Sequence, residues 1–208
     1  MNILFLGPQG SGKGTQAQLL SEKLRFFYFE AGDFLRKIAE KNKAVKKYLD
    51  EGKLVPEDEF ASYVQAFFDE KGNWDEIIFD GFPRTLPQYE FFRKWLKEKD
   101  AKFDFVFVLN INEKTSIKRL SARRMDTKTG VIYNLITNPP GTEINETDLV
   151  QREDDRPEAI KERLLLYHKE TTSLINKLKE ETKVYEIDGE KPIEEVQKEI
   201  GKIVGIIK

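Results

Sequence analysis

The stretch that decides the fold is Ile3-Leu4-Phe5-Leu6-Gly7-Pro8-Gln9-Gly10-Ser11-Gly12-Lys13-Gly14-Thr15. Four apolar residues run into a glycine-rich turn, and Gln16 to Lys23 then reads as a helix. A buried strand, a glycine loop and a helix N-terminus together make a phosphate cradle. Glycines let backbone N–H groups converge on phosphate oxygens, the helix terminus adds partial positive charge, and Lys13 adds a full one. Gly7, Gly10, Gly12, Gly14 and Lys13 fall at P-loop spacing, with a strand before and a helix after. The commonest P-loop has Ser or Thr directly after the lysine. Here Gly14 takes that place and the hydroxyl comes at Thr15, which favours a kinase of small phosphorylated acceptors over a GTPase or motor ATPase.

Working outward, 208 residues suffice for one sizeable core. A net charge of -2 gives no general attraction to nucleic acid or anionic membrane, so an anionic ligand must be met by locally clustered arginines and lysines. The chain has no cysteine and one histidine, which removes disulfides, Cys-ligated zinc, a cysteine nucleophile and a His-rich metal site. Met1 to Leu4 enters a strand without a basic leader, and no apolar run approaches the ~18 residues of a membrane span. A cytoplasmic protein is expected.

Further strands are expected at Arg25–Phe29, Ile77–Phe79, Phe103–Leu109 and Val184–Ile187, each separated by helical patterns. The predicted fold is therefore α/β, with a five-stranded parallel sheet covered by helices. Ligands in such folds bind beyond the carboxyl ends of the strands, where the P-loop, Asp80 and Asp188-Gly189 emerge. Asp33 is expected to cap the helix beginning at Phe34, and a later helix holding Ile117 and Leu120 is expected to end in Arg123-Arg124. From Met125 to Asp154 the chain is rich in Thr, Asn, Pro, Gly and charge. Its β-prone patches, Val131–Tyr133 and Leu135-Ile136, point to a small ordered, mobile subdomain. Asp155-Arg156-Pro157-Glu158 carries a capping-box pattern with Asp155 as cap, and one helical stripe runs on to Leu178. The aromatic run at 26–29 reads as core packing, and His168 as a structural or surface residue.

Over essentially its whole length the chain resembles the adenylate kinase family of nucleoside monophosphate kinases. The stretches that carry the resemblance are the P-loop, Gly32-Asp33-Phe34-Leu35-Arg36, Gly52-Lys53-Leu54-Val55, Asp80-Gly81-Phe82-Pro83-Arg84-Thr85 with Gln88, Arg119 with Arg123-Arg124, and Arg152-Glu153-Asp154-Asp155 with Arg163. The resemblance implies a core of residues 1–29, 60–121 and 160–208, a monophosphate-binding domain of residues 30–59, and a lid of residues 122–159. It also implies transfer of a phosphoryl group from ATP to AMP, giving ADP, with magnesium accompanying ATP. Many bacterial relatives hold the long lid with four zinc-binding cysteines. None is present here, so no structural zinc is expected and a polar network around Asp126, Thr129 and Asp154 must serve instead.

Roles implied by the resemblance fall on named residues. Gly10, Ser11, Gly12, Lys13, Gly14 and Thr15 would hold ATP, with Lys13 at the transferring group. Arg119 would lie over the ATP adenine, with Tyr133 and Lys191 also on ATP. Arg36 and Arg84 would hold the acceptor phosphate. Ala31, Gly32, Lys53, Leu54, Val55, Gly81, Phe82 and Gln88 would surround AMP. Arg123, Arg152 and Arg163 would close on the phosphates, and Asp80 would bind magnesium through water. Adenylate kinases usually carry Thr where this chain has Ala31, and alanine is familiar there from UMP/CMP kinases. Gln88 points back to adenine, because an amide reads a purine edge by paired hydrogen bonds. A UMP/CMP kinase is the alternative acceptor reading, and a non-catalytic nucleotide-binding regulator is an alternative of another class. A monomer is expected.

Overall fold

The structure is a computed structural model describing residues 1–207; Lys208, the end of the expected core, lies outside the described residues. The decisive stretch forms β1 (Asn2–Leu6), buried throughout, and α1 (Lys13–Leu24). There follow β2 (Phe27–Glu30), α2 (Ala31–Ala39), α3 (Lys43–Asp50), α4 (Glu57–Lys71), β3 (Ile77–Asp80), α5 (Leu86–Glu98), β4 (Phe105–Asn110) and α6 (Glu113–Ser121). Strands β5 (Arg123–Asp126), β6 (Ile132–Asn134) and β7 (Leu149–Val150) come next. Helix α7 (Pro157–Leu166), a π-turn at Tyr167–Thr171, α8 (Thr172–Glu181), β8 (Val184–Asp188) and α9 (Ile193–Val204) complete the chain.

Five parallel strands lie in the order β2-β3-β1-β4-β8, as the alternation of apolar runs and helices predicts. Strands covered on both faces need no polar side, and their two-residue period sorts them between two cores. Leu4, Leu6, Phe79, Val106 and Val108 pack with Val64 and Phe68 of α4, Phe92 of α5 and Leu174 and Leu178 of α8. Ile3, Phe5, Ile78, Phe107 and Leu109 pack with Ala17 and Leu20 of α1 and Val196 and Ile200 of α9. Register brings Phe5 opposite Asp80 and Phe107, so the carboxyl ends of β1, β3 and β4 finish side by side below the P-loop.

Several local expectations are corrected. Strand β2 begins later than Arg25 and runs on to Glu30, and α2 starts at Ala31. Its cap is Glu30, which accepts the backbone N–H groups of Gly32 and Asp33 at 2.9 and 2.7 Å. A glutamate reaches those amides as well as an aspartate would, and Asp33 is left in the first turn to meet Arg36. Arg123-Arg124 does not end α6 but opens β5. Leu135-Ile136 forms a turn rather than a strand, with the Ile136 N–H donating to Asn134 Oδ1 at 3.0 Å. Asp155 does not cap α7: Arg156 occupies that place without a side-chain cap, and Pro157 within the first turn needs no N–H partner. The stripe after α7 is interrupted by the π-turn before α8 resumes it.

Residues 123–150 contain a three-stranded antiparallel sheet ordered β6-β5-β7. Asp126 organises its first turn. Its Oδ2 accepts the Thr129 hydroxyl at 2.6 Å and its Oδ1 the Lys128 N–H at 2.9 Å. The Lys128 ammonium meets Asp148 at 2.7 Å, linking that turn to the approach to β7. Asp126 and Thr129 thus form the polar network expected in place of cysteines, whereas Asp154 lies with Arg163, beyond the small sheet. Asp126→Ala is expected to speed amide exchange at Lys128 and Val131 while leaving β1 and β4 protected. Hydrogen exchange read by mass spectrometry checks this, and unchanged protection at the turn would remove Asp126 from the role.

Candidate active site

A cavity of about 1020 Å³ opens at the carboxyl end of the sheet. Its floor is the P-loop, whose shape depends on backbone that only glycine adopts freely. Gly7 has φ +146°, and a Cβ there would sit 2.5 Å from the Leu109 carbonyl oxygen. Gly12, at φ +91°, turns the loop into α1. Ser116 donates its hydroxyl to the Gln9 carbonyl, and Arg119 donates to the carbonyls of Gly10 and Gly189 at 3.3 and 2.9 Å. These bonds tie the loop to α6 and to the turn after β8. Arg119 therefore lies at the cavity edge, but its guanidinium is engaged by backbone oxygens.

Gly10, Ser11, Gly12, Lys13, Gly14, Thr15, Ala31, Gly32, Arg36, Lys53, Leu54, Val55, Asp80, Arg84, Gln88, Arg119, Arg123, Tyr133, Arg152, Arg163 and Lys191 all line this one cavity. Gly81 and Phe82 do not. Gly81 lies under the Arg84 side chain, whose Nε donates to its carbonyl at 2.5 Å. Phe82 is buried between the rings of Phe60 and Phe92, at 5.1 and 5.0 Å. Its neighbours make it a wall behind the cavity. His168 is exposed and outside it.

Lys13, Arg36, Arg84, Arg123, Arg152 and Arg163 are among the cations that line the cavity. Burial pushes the Lys13 ammonium down to about 8; Asp80 opposes the fall and Arg84 and Arg163 add to it. Arg163 is pushed down to about 10 by burial and by Arg123, against the pull of Asp154 and Asp155. Arg152 is likewise lowered by burial and by Arg36 and Arg123, and its Nε is a buried donor with no acceptor among the described residues. Cations held this way are stabilised when an anion enters.

The carboxylates in place do different work. Asp155 holds Arg123 by a bidentate pair at 2.7 and 2.6 Å and is itself fully buried. Asp154 takes Arg163 at 3.0 Å, and Arg152 reaches toward Asp33 of α2 at 3.7 Å. Arg36 is shared by Glu30, at 2.9 Å, and Asp33. Burial pushes the Glu30 carboxyl up, against the pull of Arg36.

Reading 26–29 as packing holds for the rings but misses one hydroxyl. The Tyr28 hydroxyl donates to Asp80 Oδ2 at 3.0 Å and faces the cavity. Register carries the signal that was available: Tyr28 pairs with Ile78, and Glu30 with Asp80, at the ligand end of the sheet.

The P-loop, the arginines and Gln88 lie at one cavity. A family model described as Adenylate kinase matches residues 5–183. The chain belongs to that family. It is 39% identical over 217 residues to the adenylate kinase of Archaeoglobus fulgidus, covering 100% of each chain. It is 36% identical over 213 residues to that of Chloroherpeton thalassium, covering 98% of each. It is 36% identical over 217 residues to that of Ruminiclostridium cellulolyticum, covering 99% of this chain and 100% of the other.

Within the family, the chain's lack of cysteine excludes a cysteine-held zinc. A magnesium ion bound through water does fit. Asp80 is 4% exposed, and while its Oδ2 takes the Tyr28 hydroxyl, its Oδ1 is buried with no hydrogen-bond partner among the described residues. Among the described residues, no helix is long and apolar enough to cross a membrane.

Proposed function

We propose that this chain interconverts ATP plus AMP with two molecules of ADP. The observation that carries the reading is the depressed Lys13 and Arg163, with the unpaired Nε of Arg152, in one cavity beside a P-loop and the Gln88 amide. Polyphosphate charge suits such a site. An adenine edge suits Gln88.

The chemistry asks for positioning and charge stabilisation, since the attacking oxygen of a monophosphate is already ionised near neutrality. No general base is needed, in keeping with an exposed His168. The P-loop amides hold the ATP phosphates, and Lys13 meets the phosphoryl group in transfer. Arg36 and Arg84 hold the acceptor phosphate, while Arg123, Arg152 and Arg163 line the path between the two nucleotides. Residues 122–159 act as a lid and 30–59 as the acceptor domain, closing on the core to exclude water that would otherwise take the phosphoryl group. Asp80 would hold magnesium through water, and bound magnesium neutralises charge on the transferring phosphates. Cytoplasmic residence and a monomeric state belong to the same proposal.

A coupled assay with ATP and magnesium, offering AMP, UMP, CMP and GMP in parallel, tests the reading. Strong preference for AMP supports it; preference for UMP or CMP would make Ala31 the deciding residue. Transfer to none would favour the regulator. Arg84→Ala is expected to raise the KM for AMP by roughly 10²-fold, with ATP affinity measured alone nearly unchanged. A selective loss of ATP binding would reverse the assignment of that arginine.

A further inference from the structure

Two neighbouring carbonyls of the P-loop, those of Gln9 and Gly10, are both held from α6. Ser116 is fully buried on that helix, and its hydroxyl donates to the Gln9 carbonyl. A serine inside a helix ordinarily returns its hydroxyl to a carbonyl of its own helix, three or four residues back. Here the proton leaves the helix instead. One turn on, Arg119 Nη1 donates to the carbonyls of Gly10 and Gly189 at 3.3 and 2.9 Å. The loop also lies close against α6. Gly10 has φ +80°, and a Cβ there would sit 3.0 Å from the Ser116 carbonyl oxygen and 3.4 Å from Leu120 Cγ. The turn after β8 comes as near, since a Cβ on Gly189 would meet the Ser11 carbonyl oxygen at 2.8 Å.

These ties fix which way the loop's donors point. A peptide unit is planar and trans, so its N–H points opposite to its C=O. Holding the Gln9 and Gly10 carbonyls toward α6 therefore turns the Gly10 and Ser11 N–H groups away from it. The Ser11 N–H closes the turn on the Pro8 carbonyl at 3.2 Å. Gly10 and Ser11 both line the cavity, whereas Ser116 does not. Without its tie, the peptide between Gln9 and Gly10 adjoins a glycine with little preference in φ, and can rotate to turn its oxygen toward an incoming phosphate.

We propose that Ser116 is a positioning residue which, with Arg119 beside it, braces the P-loop so that the Gly10 N–H is presented to phosphate. The inference rests on reading this cavity as a nucleotide site. Bracing is compatible with a place for Arg119 over the ATP adenine, because N–H groups used in the guanidinium plane leave its faces open.

Inorganic tripolyphosphate, which has no base, separates the brace from any contact to adenine. In Ser116→Ala, calorimetry is expected to show tripolyphosphate and ATP binding both weakened about fivefold, with AMP affinity measured alone little changed. The substitution alters no charge, and alanine favours the helix. Amide exchange at Ser11 in the ligand-free protein, read by NMR, should quicken. Arg119→Met should also weaken tripolyphosphate binding about fivefold. That ratio should persist at about 1 M salt, where the lost charge is screened. Arg119→Met carries the test if Ser116→Ala does not fold.

A packing role alone would lower the thermal midpoint of Ser116→Ala and leave tripolyphosphate affinity unmoved; that result overturns the inference. Equal losses for AMP and tripolyphosphate would mark a loosened fold and overturn it too. Loss of ATP affinity without loss of tripolyphosphate affinity in Arg119→Met would confine that arginine to the base and remove it from the brace. A wild-type protein that binds neither ATP nor tripolyphosphate overturns the nucleotide-site reading along with the inference. A wild type that binds both, with variants that bind them equally well, sinks the brace alone.

Discussion

Lys13→Ala is expected to lower turnover by roughly 10³-fold while the thermal midpoint at pH 7 stays level or rises. The two halves of that result come from the same cause. Lys13 is half-buried at the cavity floor, where its ammonium makes a long 3.5 Å approach to the Pro8 carbonyl. Its pKa falls from the ordinary 10.5 to about 8, chiefly through burial. That fall corresponds to about 3 kcal/mol against the charged form in the folded chain. The sign follows from linkage. Because the folded value lies below the unfolded one, the penalty is fully present below about pH 8. It shrinks as pH rises from 8 to 10.5 and is gone above. Alanine removes the penalty at pH 7 and forfeits the packing of the lysine stem, so the net change is small or stabilising.

Calorimetry at pH 7 and pH 10 with a coupled assay at pH 7 reads both halves. The variant's stability relative to wild type should decline toward pH 10. A large drop in midpoint at pH 7 would make Lys13 a structural residue. Near-normal turnover would remove it from the chemistry. The same titration predicts that acceptor and ATP affinities weaken above pH 8 in the wild type and not in the variant.

What the sequence made legible follows a physical division. Strand β1 and the P-loop were readable because four adjacent apolar residues, glycines and a lysine are each required by a local geometry. The sheet was readable because Ile77–Phe79 and Phe105–Leu109 are apolar without alternation, as strands buried on both faces must be. Short motifs singled out Gln88, Arg36 and Arg84, and all three line one cavity. What stayed hidden was the choice of partner. Nothing local says that Glu30 rather than Asp33 caps α2. That depends on β2 running to Glu30 in register with Asp80. Tyr28 looked like one more core ring because its hydroxyl partner, Asp80, is distant in sequence. Arg123-Arg124 looked like a helix end because basic residues favour that position, yet a small sheet claims them. In each case a tertiary partner outbid a local preference.

Asp155 is the sharpest such case, and it sets the largest stability effect. Its capping-box position suggested service to α7, but Arg123 takes both of its oxygens and Arg163 approaches one at 3.5 Å. Removing it leaves two cations with less than they need in a buried place. Arg123 and Arg163 are 18% and 14% exposed as side chains, too little for water to replace the carboxylate. Asp155→Ala is expected to cost roughly 3 kcal/mol, which for a chain of this length is a fall in midpoint of roughly 6–12 °C. Turnover should also fall, because two arginines proposed to hold phosphate lose the group that aims them. A simple cap would cost about 1 kcal/mol and leave turnover intact. Nucleotide separates the two further. Phosphate brought by ATP together with AMP supplies the anion that the variant lacks, so the midpoint gained on saturation should be larger in Asp155→Ala than in wild type, provided binding survives. Equal gains together with a small drop in the unliganded midpoint would return Asp155 to the role of a helix cap.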